Sequence, residues 1–216
     1  MLSSRNGRAR LASLSLMTLL FVAPAGAQVI DRILAVVSGG LILQSDAVAA
    51  RRLHLVEVLE TPDPVQSALD QLIERRLILI EVDRYGPQEP SQAEIDTGVT
   101  AIMARNGPGD SVDAIFRETG YSTEQLRLFV RDDLRIRAYL QQRFGAAPAP
   151  TDEEIADYYR THERAFTVGG VVRPFPEVRE AALAALVAER RTTLLRDWLA
   201  GLRRRADVNV LYIPIR

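Results

Sequence analysis

Strand-like sequence sits at the two ends of this chain, with only helical periodicity between them. Val29-Ile30-Asp31-Arg32-Ile33-Leu34-Ala35-Val36-Val37 is β-rich, Ser38-Gly39-Gly40 signals a turn, and Leu41-Ile42-Leu43 completes a short hairpin. Val208-Asn209-Val210-Leu211-Tyr212-Ile213 is the matching run near the other end. An isolated hairpin is marginal in water and an unpaired strand edge is a liability. The two ends are therefore expected to pair in one small sheet packed on a helical body. That closure makes the fold mainly α, with the first and last segments meeting in space.

The helices between are announced by their starts. Gln44-Ser45-Asp46 opens the first, with Ser45 read as N-cap and apolar positions 48, 49, 53, 56 and 59 carrying it to Leu59. Pro62 and Pro64 suit the first turn of a second helix, which runs to Arg84 and stops at Tyr85-Gly86-Pro87. Three capping boxes follow, Ser91 with Glu94, Ser122 with Gln125 and Thr151 with Glu154, each heading a helix. A short helix spans Ser111 to Thr119. The Ser122 helix reaches Phe144 before the linker Ala146-Ala147-Pro148-Ala149-Pro150. A connector from Thr167 to Pro176 precedes a last helix, Glu177 to Arg205, expected to bury Val178, Ala182, Ala185, Leu186, Leu195, Trp198, Leu199 and Leu202.

Residues 1–27 read as a cleavable Sec-type export signal. Arg5, Arg8 and Arg10 precede a largely apolar stretch from Leu11 to Val22, and Ala25 and Ala27 are the small residues a signal peptidase reads. Twelve residues rise only about 18 Å as a helix, too short for a membrane core of roughly 30 Å. Cleavage after Ala27 leaves 28–216. With the leader's three arginines removed from the 27 basic residues, 24 face 28 acidic ones, a balance that argues against nucleic-acid binding. The chain has no cysteine, so neither disulfides nor a lipoprotein anchor are expected.

Few residues suggest chemistry. No cysteine nucleophile, phosphate-binding glycine loop or nucleophile elbow is present. His54 and His162 lie far apart on separate expected helices, His54 as a packed or surface side chain and His162 as a cation suited to a helix end. Asp152-Glu153-Glu154 complements a helix dipole better than it suggests a metal site. Arg203-Arg204-Arg205 closes a helix as a solvated charge cluster, and Tyr158-Tyr159 reads as half core. Neither a catalytic residue nor a metal or other cofactor is expected.

In order and spacing, several segments resemble the SurA-type periplasmic chaperones. They are Val29 to Val37 with Ile42 and Ser45-Asp46, Leu69 to Leu77, Glu94-Ile95-Asp96, Ala104-Arg105-Asn106, Leu126 to Leu134, and Thr151 to Tyr159. The resemblance implies a helical chaperone domain over 28–216. Residues 28–145 would form the first part and 177–216 the helix and strand that return to it. Residues 146–176 hold the linker, short helix and connector where the family carries a parvulin prolyl-isomerase domain. Here Phe166 to Phe175 spans only ten positions, so no such domain fits there.

The resemblance further implies a non-catalytic, periplasmic protein of a Gram-negative-type bacterium that binds unfolded clients, outer-membrane proteins among them. Such binding removes apolar client surface from water, and Met or aromatic side chains adapt to varied sequences. Met103, Phe116, Tyr121 and Phe129 are the candidate client-binding residues, with ordinary core packing as the competing reading. Two other functions stay open: an interaction module docking an assembly partner and, less favoured, a prolyl isomerase.

Overall fold

The computed structural model describes residues 31–57, 61–107, 112–145 and 148–214. The expected export signal, with Ala25 and Ala27, and the start of the first strand lie outside the described residues. Strands β1 (Ile33–Val37) and β2 (Gly40–Leu43) form the expected hairpin. Its two-residue loop holds Ser38 at φ +47° and Gly39 at φ +82°. Positive φ at both central residues matches the right-handed twist of the flanking strands.

Strand β5 (Val208–Val210) pairs antiparallel with the free side of β1, giving the order β2-β1-β5. Ala35 faces Val210, Val36 faces Asn209 and Val37 faces Val208. Past the strand, the Leu211 and Tyr212 amides both donate to the Leu34 carbonyl, at 2.8 and 3.0 Å. The ends of the described chain therefore meet, as their composition predicts.

Helix α1 (Gln44–Arg52) departs from expectation at both ends. It springs directly from β2, with Leu43 as N-cap, so Ser45 falls inside the first turn. Asp46 takes over the capping, accepting from the Leu43 amide at 2.9 Å. Ser45 donates its amide and hydroxyl to the Asp31 carboxylate instead. The helix stops at Leu53, and His54 turns left-handed at φ +52°. The cause is tertiary: Asn106 donates to the Leu53 carbonyl at 3.2 Å and Arg105 to that of His54 at 3.0 Å.

Helix α2 (Pro64–Tyr85) begins at Asp63, whose carboxylate accepts from the Gln66 amide, and ends at Gly86 in the left-handed conformation. Helices α3 (Gln92–Arg105), α5 (Thr123–Phe144) and α6 (Asp152–Thr161) start at the three capping boxes, all formed. Helix α4 (Val112–Thr119) lies between α3 and α5. After α6 comes a 3-10 turn (Glu163–Phe166), then a small hairpin of β3 (Thr167–Val168) and β4 (Val171–Val172). Helix α7 (Phe175–Arg205) starts two residues early, with Pro176 in its first turn.

Buried side chains gather in four groups. Leu34, Val37, Leu69, Ile73 and Leu202 join the sheet to α2 and α7. Leu53, Ile95, Val99, Ile115 and Leu126 join α1, α3, α4 and α5. Ile78, Val82, Ile136 and Tyr139 hold α5 against α2, with Trp198 and Leu199 of α7 alongside. Ile155, Phe166, Ala182 and Leu186 form a satellite core beneath the β3–β4 hairpin. Helix α7, about 46 Å long at 1.5 Å per residue, spans from the satellite to the main body. Of the eight residues expected to be buried on it, Ala182, Leu186 and Leu202 are fully so. Its middle bridges two separate cores and leaves Val187 and Leu194 in solvent.

Candidate functional site

The last turn of α2, the end of α5 and the last third of α7 converge, and each contributes aromatic residues. Tyr85 precedes the Gly86 stop and stacks on Tyr139 of α5, with centroids 5.9 Å apart and planes at 27°. Tyr139 continues to Trp198 of α7 at 5.9 Å, and Trp198 meets the edge of Phe144 at 5.4 Å. The Arg143 guanidinium lies 5.4 Å from the Trp198 centroid and 5.6 Å from that of Phe144, within the range of a cation–π attraction. Tyr139 and Arg143 are one helical turn apart on α5, so both face the same side.

An open cleft of about 290 Å³ lies over this ladder, lined by Tyr85, Pro87, Tyr139, Gln142 and Arg143. Its lip is exposed and its floor is not: Tyr85 is 61% accessible and Tyr139 only 5%. The Tyr139 hydroxyl is buried and forms no hydrogen bond among the described residues. Burial raises its pKa above that of an ordinary tyrosine, an effect that nearby Arg143 opposes and nearby Glu81 reinforces. Glu81 itself pairs with Arg84 at 3.1 Å. Among the described residues Arg143 makes no ion pair; it packs on the Phe144 and Trp198 rings and lies beside the Tyr139 hydroxyl.

The connector carrying Pro87 is held in place by Arg135. Only 8% exposed, this side chain reaches Asp83 at 3.0 Å and Glu89 at 2.9 Å, on either side of Gly86. The cleft lip is thus fastened to α5, not left as a loose turn.

A second groove, about 390 Å³, follows the flank of α7 along α2, with Leu77, Leu195 and Leu199 as floor and Glu74 and Arg203 at the edge. Burial raises the Glu74 carboxyl above its ordinary value, against the pull of Arg203. The charges here largely answer one another, since Arg203 also lies 3.9 Å from Asp70.

The four residues singled out in the sequence lie elsewhere. Phe116 and Tyr121 meet in the second core at 6.1 Å, and Tyr121 is 9% exposed with its hydroxyl donating to the Gln125 carbonyl. Phe129 is half-buried beneath the Arg75 guanidinium, 3.7 Å from its centroid. That arginine also donates to the Phe129 carbonyl at 2.6 Å and to Asp133 at 3.1 Å. Met103 is 37% exposed on α3. His162 stacks on Tyr158 at 4.2 Å, with its Nε2 3.9 Å from Glu189.

No protein-family model matches the chain. Among curated proteins it is similar to Chaperone SurA of Alcanivorax borkumensis, 28% identical over 141 residues. It is also similar to Chaperone SurA of Bordetella pertussis, 27% identical over 145 residues. Those alignments cover 61% and 63% of this chain but only 32% and 28% of the relatives. The same fold occurs in a solved structure from work on PEB4 and Cj1289, two structurally related SurA-like chaperones of Campylobacter jejuni. It superposes with a TM-score of 0.53 at 14% identity, over 84% of this chain and 99% of that one.

The chain is thus similar in sequence to SurA-type chaperones and shares the fold of a SurA-like one. It spans less than a third of the length of these curated relatives. At the position where the family resemblance implies an inserted domain, the described chain has the β3–β4 hairpin, Thr167–Val172. Among the described residues, no helix is long and apolar enough to cross a membrane.

Proposed function

We propose that this SurA-type chain is a periplasmic, holdase-like chaperone that binds unfolded polypeptide, including outer-membrane-protein segments, without catalysing a reaction. The observation that carries this reading is the aromatic cleft, where a ring 61% exposed stands over a ladder of three more. Aromatic faces take up apolar side chains of many shapes at low entropic cost, and area removed from water contributes roughly 25 cal/mol per Å². Binding of this kind is broad and weak per contact, as a holdase requires. On α3, Met103 adds an accessible contact of the adaptable kind.

The test is suppression of aggregation of an unfolded outer-membrane protein diluted from denaturant. The chain is expected to suppress light scattering at a few-fold excess, and Tyr85→Ala to weaken that suppression while leaving the circular dichroism unchanged. Absence of suppression by the unaltered chain overturns the reading. In a proline-peptide assay the chain is expected to leave the isomerisation rate at its uncatalysed value, and turnover would overturn the non-catalytic part.

A second reading, an interaction module docking an assembly partner, draws on the β3–β4 hairpin. Val168 and Val171 there are 66% and 67% exposed on a two-stranded sheet with open edges.

A further inference from the structure

The aromatic cleft holds two neighbouring donors, the Tyr139 hydroxyl and the Arg143 guanidinium, neither of which has a carboxylate partner among the described residues. Tyr139 is 5% exposed, lines the cleft, and keeps an unbonded hydroxyl. Arg143, one turn further along α5, lines the same cleft and has no carboxylate partner among the described residues. The arginine cannot be deprotonated under ordinary conditions, and a phenol is protonated at neutral pH. A buried donor without an acceptor costs stability, and an unpaired guanidinium on rings is ready to form a charge-assisted bond. A ligand that satisfies both must bring an acceptor, and one with negative charge suits the pair best.

We infer that the cleft selects polypeptide segments in which an aromatic or large apolar side chain is followed closely by Asp or Glu. The apolar side chain lies on the ring of Tyr85, and the carboxylate accepts from the Tyr139 hydroxyl and the Arg143 guanidinium. This inference rests on the polypeptide-binding reading above and adds an electrostatic preference to it. The whole chain is slightly acidic, so the preference is local to Arg143 and would not follow from net charge.

The chain supplies its own probe. Trp198, packed between Tyr139 and Phe144, is the one tryptophan in the sequence. Its fluorescence is titrated with two short tryptophan-free peptides identical except at one position, Phe-Glu in one and Phe-Gln in the other. The Glu peptide is expected to bind about three- to tenfold more tightly at low salt, the range for one charge-assisted pair at a half-open site. Arg143→Gln, a change at an exposed residue, is expected to bring that ratio close to one. Equal binding of the two peptides to the unaltered chain overturns the inference and leaves polypeptide binding standing. A preference for Glu that survives in both Arg143→Gln and Tyr139→Phe also overturns it. If neither peptide changes the fluorescence, while aggregation is still suppressed, clients bind elsewhere and the inference falls alone. If suppression is lost as well, the functional reading falls with it.

Discussion

Helix α2 has two ends, and each is finished by a tyrosine from a distant part of the chain. At its start, the Tyr212 hydroxyl donates to both oxygens of Asp63, at 3.1 and 3.0 Å, so the residue that caps α2 also fastens the chain's last described segment. At its finish, Tyr139 is stacked under Tyr85 with a hydroxyl that donates to nothing. The first end is closed by polar bonds and a sheet whose outer strands come from opposite ends of the chain. The second is packed as tightly by rings, yet leaves its donors open toward a cleft. Completed hydrogen bonding marks the end that holds the fold together, and incomplete hydrogen bonding marks the end at which binding is proposed.

The largest expected effect separates core from cleft. Leu69 is fully buried between the sheet and α2. Leu69→Ala should cost about 2–5 kcal/mol in urea denaturation, because transfer and cavity terms add. Tyr85→Ala, at an exposed lip, should cost well under about 1 kcal/mol by the same measurement while weakening client capture. If the two changes destabilise equally, Tyr85 is part of the structural core and the contrast between the ends of α2 fails.

A smaller effect is expected at Tyr212. Replacing it by Phe removes a bond to a charged acceptor, and the half-open position puts the loss near the low end of its range, about 1 kcal/mol. The pH dependence has a definite sign. Burial raises the Tyr212 phenol above its ordinary value, and the Asp63 carboxylate raises it further. Burial also leads the upward shifts of Tyr121 and Tyr139. A raised folded-state value means that the unfolded chain loses its protons first. Stability from these groups is present below the ordinary tyrosine value of about 10 and falls as pH rises beyond it. Thermal melts from about pH 8 to about pH 11, on either side of the ordinary tyrosine value, should show that decline. Tyr212→Phe should soften it.

How much of this was legible in the sequence depends on the range of the interaction. The three capping boxes are local, and Ser91, Ser122 and Thr151 each start a helix as their spacing predicts. The closure of the sheet was legible because two strand-like ends with helices between them have few other ways to pair. The end of α1 was not, since the groups that stop it, Arg105 and Asn106, arrive from another helix. Ser45 lost its expected role because the helix grows straight out of β2, which shifts the cap to Leu43. The aromatic cleft was the least legible part. Tyr85 ends a helix, and Tyr139 and Trp198 read as ordinary apolar positions, so only the crossing of three helices makes them a site. Residue type treats Tyr121 and Tyr139 alike, yet one hydroxyl has found a carbonyl and the other has not.

The smallest expected effect on stability is the most informative about the two ends of α2. Tyr139→Phe keeps the ring, its stacking on Tyr85 and its contact with Trp198, and removes only the unbonded hydroxyl. Deleting a buried polar group that has no partner relieves its desolvation, so the folded chain should be unchanged or more stable by up to about 1 kcal/mol. The same substitution at Tyr212 should destabilise. A stabilising change that also weakens binding of the Glu-containing peptide would mean that the cleft keeps its donor at a cost to the fold, a known pattern at binding sites. Should Tyr139→Phe instead destabilise by as much as Tyr212→Phe, its hydroxyl has a structural partner, and the two ends of α2 are finished in the same way.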